Sequence, residues 1–267
     1  MGPASRRRRP SVAVVAVAVV TVGFLALPLV GLLIRAPWGS LWPDLTSPVA
    51  TAALRLSLVC SLWATGLSLV LGLPLAWILA RTEFPGRNLV RALTILPMVL
   101  PPVVGGVALL LAFGRDGFLG RPLFDWFGVQ LTFSTAGVVL AETFVAMPFL
   151  IITVEAALRS MDGRYEEAAA TLGAGRWTVF RRITLPSISS SLVAGAALTL
   201  ARALGEFGAT ITFAGDIQGR TQTLPLAVYL ALEGNEQVAI ALSLSLLAVS
   251  VVVLVSLRGR WLGAIVP

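Results

Sequence analysis

Long apolar runs, separated by short polar stretches rich in arginine, set the pattern of this chain. Runs long enough to cross a hydrocarbon core of about 30 Å, which takes roughly 20 helical residues, fall at 11 to 34, 56 to 80, 92 to 113, 136 to 154, 190 to 213 and 238 to 257. Each predicts a transmembrane helix, because open sheets leave backbone groups unsatisfied in lipid. The expected fold is all-α, a polytopic membrane protein with six transmembrane helices. The first run follows a basic stretch, SRRRR, as a signal peptide would. Its span from 11 to 34 is longer than the roughly 7 to 15 residues of a signal core, and no small-x-small cleavage site follows, so it reads as a retained span.

Arginine placement orients these helices. With the N-terminus inside, the cytoplasmic segments hold fourteen arginines: Arg6, Arg7, Arg8, Arg9, Arg81, Arg87, Arg91, Arg159, Arg164, Arg176, Arg181, Arg182, Arg258 and Arg260. The outer segments hold four: Arg35, Arg115, Arg121 and Arg220. Positive charge collects on the cytoplasmic side, so both termini are expected to be cytoplasmic. Residues 1 to 10 then form a basic cytoplasmic tail, and the loop between spans four and five faces the cytoplasm. No internal repeat or long linker divides the chain, and residues 1 to 267 read as a single transmembrane domain.

Composition mainly excludes. The chain is 57% hydrophobic and 12% charged, with a mean hydropathy of +0.90, which makes it an integral protein of the cell membrane. It has no histidine and a single cysteine, Cys60, inside an apolar run. That leaves no metal cluster, no histidine acid–base pair and no disulfide framework, so no cofactor is expected. The net charge of +7, from 20 basic residues against 13 acids, raises nucleic acid as a partner. Sorted by membrane side, the charge reads as topology instead, and no nucleic-acid partner is expected.

The cytoplasmic loop EEAAATLGAGRWTVFRRITLP, residues 166 to 186, is more ordered than a linker requires. Glu166 and Glu167 suit a helix N-terminus, AAATL continues with helix formers, and Gly173 can take the left-handed conformation that ends a helix. Trp177, Phe180 and Ile183 then recur at i, i+3 and i+6 on a second short helix before Pro186. By periodicity alone, the segment is equally an amphipathic loop lying on lipid headgroups.

Spacing adds to this. Glu167, Ala168, Ala169, Gly173, Ile183, Leu185 and Pro186 match the cytoplasmic signature of permease subunits of bacterial ABC importers, which the chain therefore resembles. The resemblance implies that residues 166 to 186 form the coupling segment that docks into a groove on a dimer of ATP-binding cassette ATPase subunits. Trp177 and Phe180 are then candidate apolar anchors. Further on, ARALGEFGAT and GRTQTLPLA, with ILPMVLPPVVGG and FGRDGFLG earlier, look like the molybdate branch of that family. The resemblance covers roughly residues 50 to 257, with sulfate and thiosulfate permeases as the alternative. It implies a permease homodimer surrounded by membrane lipid, and an extracytoplasmic molybdate-binding protein that contacts residues 216 to 236. It also implies no catalytic site in this chain.

Physical chemistry picks out pathway candidates independently. Pro97, Pro101 and Pro102 free backbone carbonyls within an apolar run, which is tolerated where other helices or a hydrated cavity satisfy them. Arg202 falls near the middle of the fifth run, with Glu206 at i+4 and Glu142 at a similar depth in the fourth. Ionisable groups at such depth cost roughly 2.5 to 3.5 kcal/mol each on insertion scales and rarely face lipid. Arg202 and Glu206 are expected to pair on one helix face, either to fix helix position or to serve the pathway. Gly105, Gly106, Gly195, Gly205 and Gly208 suit close helix packing, with no individual role assigned. An intramembrane enzyme would need catalytic groups that are missing, and a self-sufficient secondary transporter would show internal repeats.

Overall fold

The computed structural model describes residues 11 to 265, with side chains described through 253 and at 255. The basic tail bearing Arg6, Arg7, Arg8 and Arg9, and the side chains of Arg258 and Arg260, lie outside that description. The described residues are helical or irregular, with no strand. The first helices are α1 (Val12–Ile34), α2 (Leu41–Thr46), α3 (Pro48–Arg81), α4 (Arg87–Val99) and α5 (Pro102–Phe113). Next come α6 (Gly120–Phe127), α7 (Thr135–Ser160), α8 (Arg164–Thr171) and α9 (Arg176–Val179). A π turn, Phe180–Thr184, leads into α10 (Leu185–Ser187), and the chain closes with α11 (Ser189–Leu204), α12 (Gly208–Ala214), α13 (Leu224–Gly234) and α14 (Glu236–Ile265).

Four of these, α1, α3, α7 and α14, are long and apolar enough to cross a membrane. Two bent pairs raise the number to six if each pair counts as one span: α4 with α5, bent by 118°, and Arg176–Ser187 with α11, bent by 72°. The expected run at 92 to 113 is thus broken. Leu100 and Pro101 are both extended (ψ 136° and 133°), because a residue that precedes proline is pushed out of the helical region. The helix expected from 56 begins earlier, at Pro48, where the Ser47 hydroxyl accepts from the Ala50 N–H and proline takes the first helical position.

The core centres on α7. Leu150, Ile151, Val154 and Leu158 pack with Ala76 and Leu79 of α3 and with Ile188. A second cluster joins Ala50 and Ala53 of α3 to Leu224 and Ala227 of α13 and Leu242 of α14. The helix α13 was not expected from the sequence. Its eleven residues are too few to register as a span, and Pro225 near its start is the local signal for it. In contrast, no residue of α1 is buried within the chain.

Polar contacts gather the helix ends into two groups. At one end, the Glu155 Oε1 of α7 lies 2.6 Å from Arg91 Nη2 of α4 and 2.9 Å from Arg159 Nε, while Arg159 and Arg87 both donate to the Leu79 carbonyl that ends α3. At the other end, Arg35 after α1 meets Glu236 at the start of α14 at 3.1 Å. The first group joins three helices, α4 to α7 through the Glu155 carboxylate and both to α3 through the Leu79 carbonyl. Glu155→Ala is expected to cost about 2 kcal/mol, the value of hydrogen bonds to a charged group lost at once, and Glu155→Gln less. A lowered thermal midpoint in detergent checks this, and an unchanged midpoint for the alanine variant contradicts it.

Candidate functional site

The first cluster of interest surrounds the gap between α11 and α12. Gly205 caps α11, Glu206 occupies the gap, and α12 starts at Gly208. Glu206 Oε1 accepts the Ala209 N–H at 2.8 Å, and its Oε2 lies 2.6 Å from Arg202 Nη2. The pair forms as its spacing predicts, although the two residues do not share one helix. The run at 190 to 213 breaks at Gly205, and the carboxylate closes the open N-terminus of the second piece, where free N–H groups and the helix dipole favour negative charge. Glu206 is 1% exposed and Arg202 27%, so the arginine is the accessible partner.

Glu142 is buried on α7. Its neighbours one turn either way, Val138 and Ala146, pack against Cys60 and Ala214 and against Ala64 and Ala203 respectively. Glu142 therefore faces the seam between α3 and the broken helix. Its Oε2, like Thr210 Oγ1 of α12, is buried without a hydrogen-bond partner. The N-termini of α5 and α12 lie side by side: a Cβ placed on Gly208 would stand 2.8 Å from Pro102 Cβ, and one on Gly106 would stand 2.7 Å from Thr212 Cβ. Those contacts require glycine. Pro101 and Pro102 thus fix where α5 begins, and Pro102 meets the start of α12.

The second cluster is the segment from α8 to α10. α8 ends as its sequence suggests, with Gly173 at φ +84° and open space around it. One face of α8 is tied to the body of the protein. Glu166 Oε2 lies 3.1 Å from Arg81 Nη2 at the end of α3, and Glu166 Oε1 accepts the Thr184 hydroxyl at 2.6 Å. The opposite face is free, with Glu167 and Ala168 exposed and Ala169 partly so. Tyr165 is exposed as well, and Leu172 is 88% exposed. Tyr165, Ala168 and Leu172 stand at i, i+3 and i+7, so they share one stripe.

Beyond the turn, Trp177 and Phe180 stack with ring centroids 5.7 Å apart. They line a groove against Leu73, Pro74 and Trp77 of α3. Ile183 and Leu185 are partly buried and Pro186 is exposed. Sequence reasoning missed Tyr165 and Leu172, although their spacing with Ala168 is readable, and it missed the tying role of Glu166. At the other end of the protein, residues 217 to 220 are exposed while 221 to 224 are buried, so only part of the stretch from 216 to 236 presents a surface. Burial pushes Asp216 up from its ordinary value, and a hydrogen bond from Gln222 opposes this only in part.

Residues 72–265 match the family described as binding-protein-dependent transport system inner membrane component. Among curated proteins, the chain is 47% identical over 91% of its length to the molybdenum transport system permease protein ModB of Mycobacterium tuberculosis, of which 92% is covered. It is 40% identical to the sulfate transport system permease protein CysT of Escherichia coli, over 88% of this chain and 86% of that one. Among solved structures, it superposes on a chain of a bacterial alginate ABC transporter, crystallised with its alginate pentasaccharide-bound periplasmic protein, with a TM-score of 0.70. The alignment covers 93% of this chain and 91% of that one at 22% identity, a likeness of fold.

Proposed function

The chain belongs to the family of binding-protein-dependent transport system inner membrane components, and on that premise we propose that it is the permease subunit of an ATP-driven importer of molybdate. The observation that carries this reading is the 47% identity, over nine-tenths of both chains, to a molybdenum transport permease. Such permeases are not themselves enzymes. Hydrolysis belongs to a cytoplasmic ATPase, and capture of the oxyanion to a binding protein on the outer side. In this reading α4 with α5 makes one span and α11 with α12 another, which with α1, α3, α7 and α14 gives six spans, and Arg176–Ser187 leads into α11 from outside the membrane. The end that carries Arg81, Arg87, Arg91, Arg159 and the α8 to α10 segment is the cytoplasmic one, because positive charge marks that side.

The segment 166 to 186, with Tyr165 just before it, meets the ATPase through the free face of α8 and its C-cap: Tyr165, Glu167, Ala168 and Leu172. Ala169 lies at the edge of that face, and Gly173 sets the turn. Trp177, Phe180, Ile183, Leu185 and Pro186 seat the segment against α3 and lead it into α11. Movement imposed on α8 passes to α3 through Arg81 and Glu166 and to α11 through the turn at Thr184. Two copies of the chain enclose the pathway, supported by α1, an apolar helix without a buried residue that needs lipid or a second copy around it. Arg202, held by Glu206, offers an accessible cation to a dianion, and the carboxylate keeps the site from binding so tightly that release fails. Glu142, Pro101 and Pro102 shape the same seam.

ATPase activity of the reconstituted complex tests this reading. It is expected to rise when binding protein loaded with molybdate is added, and to stay basal with empty binding protein. Stimulation that ignores the loading state would contradict an importer coupled to this substrate.

A further inference from the structure

The α9 segment closes two adjoining hollows against the last turns of α3. One is a groove of about 670 Å³. Leu69, Val70, Leu73 and Trp77 form one wall, Trp177 and Phe180 the other, and Arg176 is its single charged residue. The other hollow, about 380 Å³, shares Trp77, Arg176 and Phe180 and adds Arg81, Glu166 and Thr184. Arg81 is held at one nitrogen, with Nη2 3.1 Å from Glu166 Oε2. Its Nε is buried and has no hydrogen-bond partner. Arg176 is exposed and, among the described residues, makes no ion pair. Two arginines against one glutamate leave a net positive charge where an apolar groove meets a polar chamber.

That combination selects an amphiphilic anion. The groove follows α3 from Leu69 to Ile78, about 13 Å at 1.5 Å per residue, and runs along the helix as an acyl chain does. Guanidinium groups match phosphate oxygens in a planar fork, and tryptophan beside arginine is the side-chain set of a bilayer surface. A two-fold copy fits less well, because such a contact brings the same arginines towards each other.

We propose that this junction is a binding site for an anionic phospholipid of the cytoplasmic leaflet. Its acyl chain lies in the groove, its phosphate sits between Arg81 and Arg176, and the bound lipid braces the coupling segment against α3. The inference rests on the cytoplasmic placement of this end and does not depend on which oxyanion is carried.

The test uses the complete complex with its ATPase in phosphatidylcholine nanodiscs that contain a trace of photoactivatable lipid. The label is carried on the acyl chain of either phosphatidylglycerol or phosphatidylcholine. Labelling of the peptides that carry residues 69 to 78 and 176 to 180 is expected to favour phosphatidylglycerol about fivefold, the factor that one arginine near an anionic surface contributes. Arg176→Gln should erase the preference while keeping the label. Val70→Trp, which fills the groove from an exposed position, should remove the label from both lipids. Equal labelling by the two lipids, an unchanged preference in Arg176→Gln, or cross-links from these peptides to a second copy of the chain would each overturn the site. Molybdate-stimulated hydrolysis measured in the same nanodiscs shows separately whether the transport reading holds.

Discussion

Leu172→Asp is expected to disconnect ATP hydrolysis from transport while leaving the membrane helices inserted. A leucine that is 88% exposed at the end of a short helix, with Tyr165 and Ala168 on the same stripe, gains its environment only when a partner covers it. An apolar anchor at the centre of an interface contributes about 2 kcal/mol or more, roughly a thirtyfold loss of affinity when it is replaced by a charge. Glu167→Arg acts on the rim of the same face and is expected to do less, because an exposed charge contributes about 1 kcal/mol or below. Gly173→Val should act through conformation alone. Nothing lies within 4 Å of a Cβ there, but the φ of +84° is unfavourable for a branched side chain. Pull-down of the ATPase, read beside uptake, separates this view from a helix lying on headgroups. In that alternative Glu167→Arg strengthens membrane contact, and none of the three variants changes ATPase capture.

Arg202→Ala is expected to be more damaging than the double variant Arg202→Ala with Glu206→Gln. The single change leaves a carboxylate that is 1% exposed without its partner, a loss of about 3 to 5 kcal/mol where a buried pair is broken. In the double variant, glutamine still offers an oxygen to the Ala209 N–H and carries no charge, so α12 keeps its cap. A double-mutant cycle on protein yield and uptake should give an interaction of about 0.5 to 3 kcal/mol. Additive losses would mean that the two side chains act independently.

The parts of this architecture legible in the sequence are those governed by local composition. α1, α3, α7 and α14 follow from apolar length, and α8 with its glycine turn follows from propensity and capping. Breaks within apolar runs are harder to see, because hydropathy is summed over a window that a two-residue interruption hardly changes. Pro101 and Pro102 carried the signal for the break before α5. The Arg202 and Glu206 pairing was legible from its spacing, whereas the role of Glu206 as the cap of a second helix was not, since it depends on Gly205 ending the first. Contacts between distant positions were invisible. Glu155 meets Arg91 across 64 residues, and nothing local to either residue names the other. The exposed stripe of Tyr165 and Leu172 stands between these cases. Its periodicity is readable, but only the tie of Glu166 to Arg81 and Thr184 reveals which face of the helix is left free.

Uptake of labelled molybdate by vesicles that contain this chain, its ATPase and its binding protein, in the presence of a large excess of sulfate, tests the central claim most directly. Accumulation that requires ATP inside the vesicles and persists under excess sulfate is the predicted result. Accumulation without ATP, or its abolition by sulfate, would contradict the assignment of this chain as the permease of a molybdate importer.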